Sequence, residues 1–170
     1  AFRNAVSKGE NEYLPVLDEI LEGVDIVGEM SLGIVQIPLD RIVGTSNVGR
    51  TYAFANNFMP LLDYKTEFGA KWSALCDSQI EEGIRDPIKV YEYMNKFYVE
   101  EGNKRVSVLK YFGVDSVPGN VTRIIPKRTD DLENKIYYEF LDFYNLTKIN
   151  YIYFTKEGSF EKLIELVGKK

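Results

Sequence analysis

The sequence contains no histidine and a single cysteine among its 170 residues. The first absence removes the commonest general base, the imidazole-centred catalytic triads and every zinc site that relies on imidazole. A lone thiol, Cys76, cannot close an internal disulfide. No apolar run approaches the roughly 18–20 residues that a membrane helix needs, and no signal-peptide pattern opens the chain. The expectation is a cytoplasmic protein without a membrane span. An excess of positive charge is also missing: the net charge is −5, which argues against a surface that grips nucleic acid throughout by counterion release. What remains for chemistry is carboxylates, lysine, tyrosine, serine or threonine, or a bound metal.

The chain is otherwise rich in core-forming residues, with 45% hydrophobic and 14% aromatic content, enough for an ordinary folded domain. Helical and strand-like patterns alternate, predicting a mixed α/β fold with a small mixed sheet. Asn11 to Glu22 has apolar residues at helical spacing, with Pro15 placed in a first turn. Ser31 to Ile37 reads as a strand, followed by a structured turn through Pro38 to Thr45. Ser46 to Asp63 contains Gly49, three asparagines and Pro60 and reads as a loop with a helical turn. Lys71 to Glu82 predicts a helix stopped by Gly83, with Trp72, Leu75, Cys76 and Ile80 on one face. On that face Cys76 reads as an inert core thiol. Pro87 to Tyr93 and Lys96 to Glu101 predict a hairpin. A further strand is expected around Val117 to Ile125, then a helix from Asp130 to Asn145, a strand from Lys148 to Thr155 and a helix capped by Ser159. This gives three parts: an N-terminal helical segment (1–30), a core (31–126) and a helix-strand-helix extension (127–170) packed on it.

One stretch carries a chemical suggestion. Tyr98 to Gly113 reads YVEEGNKRVSVLKYFG, a strand that breaks at Gly102 and passes at once into a helix beginning Asn103, Lys104, Arg105. Unpaired N–H groups and the positive end of the helix dipole make such a junction an anion site. Gly102 allows close backbone approach. Arg105 is placed for a bidentate phosphate contact, Lys104 for a point charge and Ser107 for a further hydrogen bond. In the absence of an anion, cations at this end cost roughly 0.3–1 kcal/mol, so their presence favours a ligand. Alternation turns one of Glu100 and Glu101 toward the site, where Glu101 is a candidate base or magnesium ligand.

The run FYVEEGNKRVSVLKYFGVDSVPGNV resembles the core of the ParB/sulfiredoxin superfamily, in which a strand leads through a G-x-x-R turn into a helix and on to another strand. The similarity extends upstream through IRDPIKVYEY and IPLDRIVGTSNVGR, covering about residues 34 to 125. It implies a ParB/sulfiredoxin-like core that binds a nucleoside triphosphate, CTP or ATP, with Mg2+. It places Gly102, Asn103, Lys104 and Arg105 on phosphate-cradling positions and brings Arg50 to the pocket as a ligand clamp and Asp40 as an acidic catalytic partner. Asn103 stands where sulfiredoxin needs its nucleophilic cysteine, which excludes that activity. The resemblance leaves three readings: a nucleotide-binding regulatory module, including a transcriptional regulator; a small-molecule kinase or slow nucleotide hydrolase; and a DNA-associated ParB-like protein or nuclease. Residues 130 to 170 lack a basic recognition helix, so sequence-specific DNA reading by this chain is not expected. The aromatic tail offers a surface for a second copy or another protein.

Overall fold

The computed structural model describes residues 13–62, 65–150 and 152–168. The chain divides into two compact units, Ala1–Ile125 and Pro126–Lys170. The first is a mixed α/β unit built on a five-stranded sheet. In chain order the strands are β1 (Ile26–Pro38), β2 (Ile42–Thr45), β3 (Ile88–Tyr93), β4 (Lys96–Glu101) and β5 (Ser116–Pro126). They lie in the order β1-β5-β3-β4-β2. β2 runs parallel to β4 and β5 parallel to β3, whereas β3 and β4 are antiparallel. The β3–β4 join is a two-residue turn at Met94 and Asn95, both with positive φ (52° and 64°). Such turns match the right-handed twist of the flanking strands.

The period-2 pattern of the central strands separates two apolar faces. Ile88, Val90, Val99 and Val121 pack with Ile37, Ile42, Phe54, Phe58, Val106 and Leu109 in the main core. On the other face Tyr98 and Ile124 pack with Leu17, joined by partly buried Tyr91 and Tyr93. Helix α1 (Leu17–Ile20) supplies Leu17 and is far shorter than the helix expected from Asn11. Residues 11 and 12 lie outside the described residues. From Tyr13 onward the chain is extended because the backbone pairs elsewhere: Tyr13 bridges Ala55 and Val16 bridges Thr45, and the Pro15 carbonyl accepts the Thr45 N–H at 3.0 Å. Gly44 permits that approach, since a Cβ there would stand 2.3 Å from the Pro15 oxygen.

Two helices cover the main core. α2 (Glu67–Glu81) begins four residues earlier than its apolar spacing suggests, because Thr66 caps it: its side chain accepts the Gly69 N–H at 3.1 Å. Ile80, expected on the buried face, is 70% exposed, and Cys76 is only half-buried. α3 (Asn103–Tyr111) starts directly after β4 and carries buried Val106, Val108 and Leu109. Between β1 and α2 the chain makes two 3-10 helices, Leu39–Arg41 and Val48–Ala53. The second is the helical turn expected in the Gly/Asn-rich segment, and the Asn47 side chain caps it by accepting the Gly49 N–H.

The second unit contains α4 (Leu132–Thr147) and α5 (Ser159–Gly168). Phe160 of α5 is fully buried against Phe140 and Phe143 of α4, with ring centroids 5.8 and 5.4 Å apart. The strand expected over 148–155 does not form among its described residues. A β-favouring composition makes a strand only when a neighbouring edge is there to pair, and here Phe154 instead turns its ring onto Phe160 at 4.7 Å. The cap of α5 also differs from expectation. Both Glu139 carboxylate oxygens accept the Gly158 N–H, at 2.9 and 3.0 Å, so Gly158 precedes the helix and Ser159 is its first residue. Among the described residues no helix is long and apolar enough to cross a membrane.

Candidate functional site

The β4–α3 junction forms as its sequence predicts. Gly102 takes φ +112°, a conformation that L side chains rarely adopt, and a Cβ there would stand 2.6 Å from Ile88 Cγ2. Glycine is therefore demanded by the turn itself, independent of any ligand. No side chain caps the start of α3, and its first turn carries no acid. The Asn103 side chain is buried, and its Oδ1 has no hydrogen-bond partner among the described residues.

The three polar residues expected to share the anion diverge. Lys104 faces a pocket of about 370 Å³. The Arg105 guanidinium turns away from it, donating from Nη1 to the carbonyls of Asp86 (3.2 Å) and Pro87 (3.1 Å). It staples the approach to β3 rather than reaching the pocket. Ser107 is fully buried and accepts the indole N–H of Trp72 at 2.8 Å, which fixes α3 to α2. It is thereby removed from any contact with a ligand.

The pocket is assembled from three helical segments. The 3-10 helix Val48–Ala53 supplies Gly49, Tyr52 and Ala53, the first turns of α2 supply Glu67, Phe68 and Lys71, and α3 supplies Lys104, with Leu62 from the intervening segment. Two α-helix N-termini, each the positive end of a dipole, thus converge with two lysines on one concavity. The walls are aromatic. Tyr52 is 66% exposed and braced edge-on by Tyr13 at 5.0 Å between centroids, and Lys104 Nζ lies 5.3 Å from the centre of the Phe68 ring. Beside Tyr52, the Thr51 hydroxyl is buried with no hydrogen-bond partner among the described residues. Among the described lining residues one is an acid: Glu67 Oε1 lies 2.9 Å from Lys71 Nζ. The Lys71 hydrogen bond and charge, and more weakly the Lys104 charge, hold its carboxyl below the usual carboxylate range.

No protein-family model matches the chain, and no curated protein matches it. Among solved structures the chain is similar to sulfiredoxin from Arabidopsis thaliana, at 23% identity over 52% of this chain and 82% of that chain, with a TM-score of 0.35. A likeness at that level carries no information about ligand or reaction, and the functional reading rests on the pocket.

The remaining expected site residues lie apart. Asp40 is exposed in the 3-10 helix Leu39–Arg41. Its charge acts on Lys110 in the last turn of α3, about 9 Å along the helix from Lys104, so it does not line the pocket. Glu101 is exposed at the end of β4, 3.8 Å from Lys89 on the paired strand, and Glu100 beside it is exposed too. Among the described residues no three His, Cys, Asp or Glu side chains converge to hold a metal. Arg50 sits in the 3-10 helix between Gly49 and Tyr52, and its side chain lies outside the described residues.

Sequence reading missed Tyr52, Glu67, Phe68 and Lys71. A signal for the last three was present: Thr66 followed by Glu67 is a helix-start pattern, and beginning α2 there places Phe68 and Lys71 on its first turns. Starting the helix at Lys71 hid them.

Proposed function

We propose that this chain is a ligand-binding domain whose pocket takes a phosphate-bearing molecule with a planar ring, a nucleotide being the class that fits, and that it acts as a regulatory module. The observation that carries the reading is the convergence of the α2 and α3 N-termini with Lys71 and Lys104 on a pocket walled by Tyr52 and Phe68. Helix N-termini favour anions, the ammonium groups add point charges, and exposed aromatic rings stack on planar bases. The resemblance of the β4–α3 sequence to the ParB/sulfiredoxin superfamily points the same way.

Binding without rapid turnover is the preferred form of this reading. Asp40 and Glu101, the expected bases, do not line the pocket. Glu67 does, but its depressed pKa and its pairing with Lys71 make it a poor proton acceptor. Magnesium, where the ligand brings it, would be held mainly by phosphate oxygens.

Thermal-shift measurements with adenine, guanine, cytosine and uracil mono-, di- and triphosphates, with and without Mg2+, test the proposal. A shift with at least one of them in wild type, largely lost in Lys104→Ala, is the expected result. The absence of any shift overturns it, as does a shift of equal size in Lys104→Ala.

A further inference from the structure

The pocket already contains an anion of its own. Glu67 is the first residue of α2, at the positive end of that helix, and it lines the same concavity as Lys71 and Lys104. Its carboxylate is hydrogen-bonded to Lys71 at 2.9 Å and lies in the field of Lys104. Glu67 thus engages the features that a ligand phosphate would use: an ammonium partner, a second cation nearby and a helix N-terminus.

We infer that Glu67 is a built-in competitor for the ligand's anionic group, which the ligand displaces from Lys71 when it binds. The inference rests on the proposed reading of the pocket as a phosphate site and adds how that site is tuned. The Glu67 and Lys71 side chains are 84% and 60% exposed, so their pair is a solvated one of small net strength. A rotamer change therefore releases the carboxylate into water with little penalty. A phosphate group carrying two negative charges competes better for the ammonium than a single carboxylate does. The ligand class that follows is a dianionic or more highly charged phosphate, and Glu67 sets the threshold against weaker anions. Its part is positional, because it acts on the ligand through Lys71.

Calorimetric titration with ADP, GDP, CDP, UDP and inorganic pyrophosphate tests this in wild type, Glu67→Gln, Lys71→Gln and the double variant. Glu67→Gln is expected to tighten binding roughly two- to five-fold. That gain should disappear in the Lys71→Gln background, where there is no ammonium left to contest. Wild-type binding that Glu67→Gln leaves unchanged or weakens overturns the competition and leaves the pocket standing. A gain that persists undiminished without Lys71 also overturns it, reducing Glu67 to a distant repulsive charge. Failure of all four proteins to bind any probe overturns the pocket reading and this inference together. Glu67→Gln that lowers the melting temperature without changing affinity identifies the residue as a helix-start device alone, again against the inference.

Discussion

Two ion pairs of the first unit have nearly the same length and opposite surroundings. Arg123 Nε lies 2.8 Å from Glu92 Oε2 with both side chains 1% exposed, whereas Lys71 Nζ lies 2.9 Å from Glu67 Oε1 with side chains 60% and 84% exposed. The buried pair joins neighbouring strands β3 and β5 at the register position Glu92↔Arg123. Its second carboxylate oxygen accepts the Asn95 N–H at 2.7 Å, tying the hairpin turn to the sheet. The exposed pair lies in the pocket. The same contact is thus structural where water is excluded and exchangeable where water and a ligand can compete. The two lysines of α3 repeat the contrast. Lys110 donates to the Ile42 carbonyl at 2.8 Å and lies 5.0 Å from the buried Phe58 ring. Burial pushes its pKa down, opposed by the Asp40 charge. Lys104, beside the half-buried Phe68 ring, faces the pocket.

The largest effect expected from this contrast is on the buried pair. Arg123→Met should cost about 3–5 kcal/mol in urea unfolding, because Glu92 is left as an unpaired charge in the sheet. Nucleotide affinity of the fraction that stays folded should not change. Lys110→Ala should cost about 1–2 kcal/mol by removing the hydrogen bond to Ile42 and the contact with Phe58, again without altering affinity. Lys104→Ala should do the reverse: stability within about 0.5 kcal/mol of wild type and affinity about ten-fold weaker, the usual scale for one charge-assisted hydrogen bond. An equal stability loss in the two lysine variants would erase the distinction between the ends of the helix.

The smallest effect at neutral pH belongs to Tyr98, whose pKa burial, helped by neighbouring Tyr93, pushes up to about 12 from an ordinary 10.0. The folded state holds this proton more tightly than the unfolded state. Its contribution to stability is therefore complete below pH 10 and is lost as the pH climbs toward 12. Ultraviolet titration of the folded protein should find Tyr98 ionising late, and Tyr98→Phe should remove that contribution from the late part of the curve.

Local signals made the strand-glycine-helix junction legible. Gly102, the first turn of α3 and the hairpin before it are each set by a few adjacent residues, and so was the placement of Lys104 at an anion-attracting helix end. The rest of the site depends on contacts distant in sequence. Nothing near Arg105 announces that its guanidinium staples the Asp86 and Pro87 carbonyls, and nothing near Ser107 announces that Trp72, 35 positions away, donates to it. Glu92 falls on the same face of β3 as buried Ile88 and Val90, where an acid is out of place until its partner Arg123, 31 residues later, supplies the opposite charge. Residues 148–155 show the converse: strand-favouring side chains without an edge to pair with formed no strand among the described residues. The pocket itself was visible only in part, because Glu67, Phe68 and Lys71 come from the start of α2, a segment that carries no phosphate-binding motif.

The most direct test of the central claim is an amide chemical-shift titration of the isotope-labelled protein with the nucleotide that gives the largest thermal shift. Perturbations concentrated at Gly49, Tyr52, Phe68, Lys71 and Lys104, with Glu92, Lys110 and Arg123 undisturbed, are what the account predicts. Perturbations centred elsewhere, or none at saturating nucleotide, would contradict it.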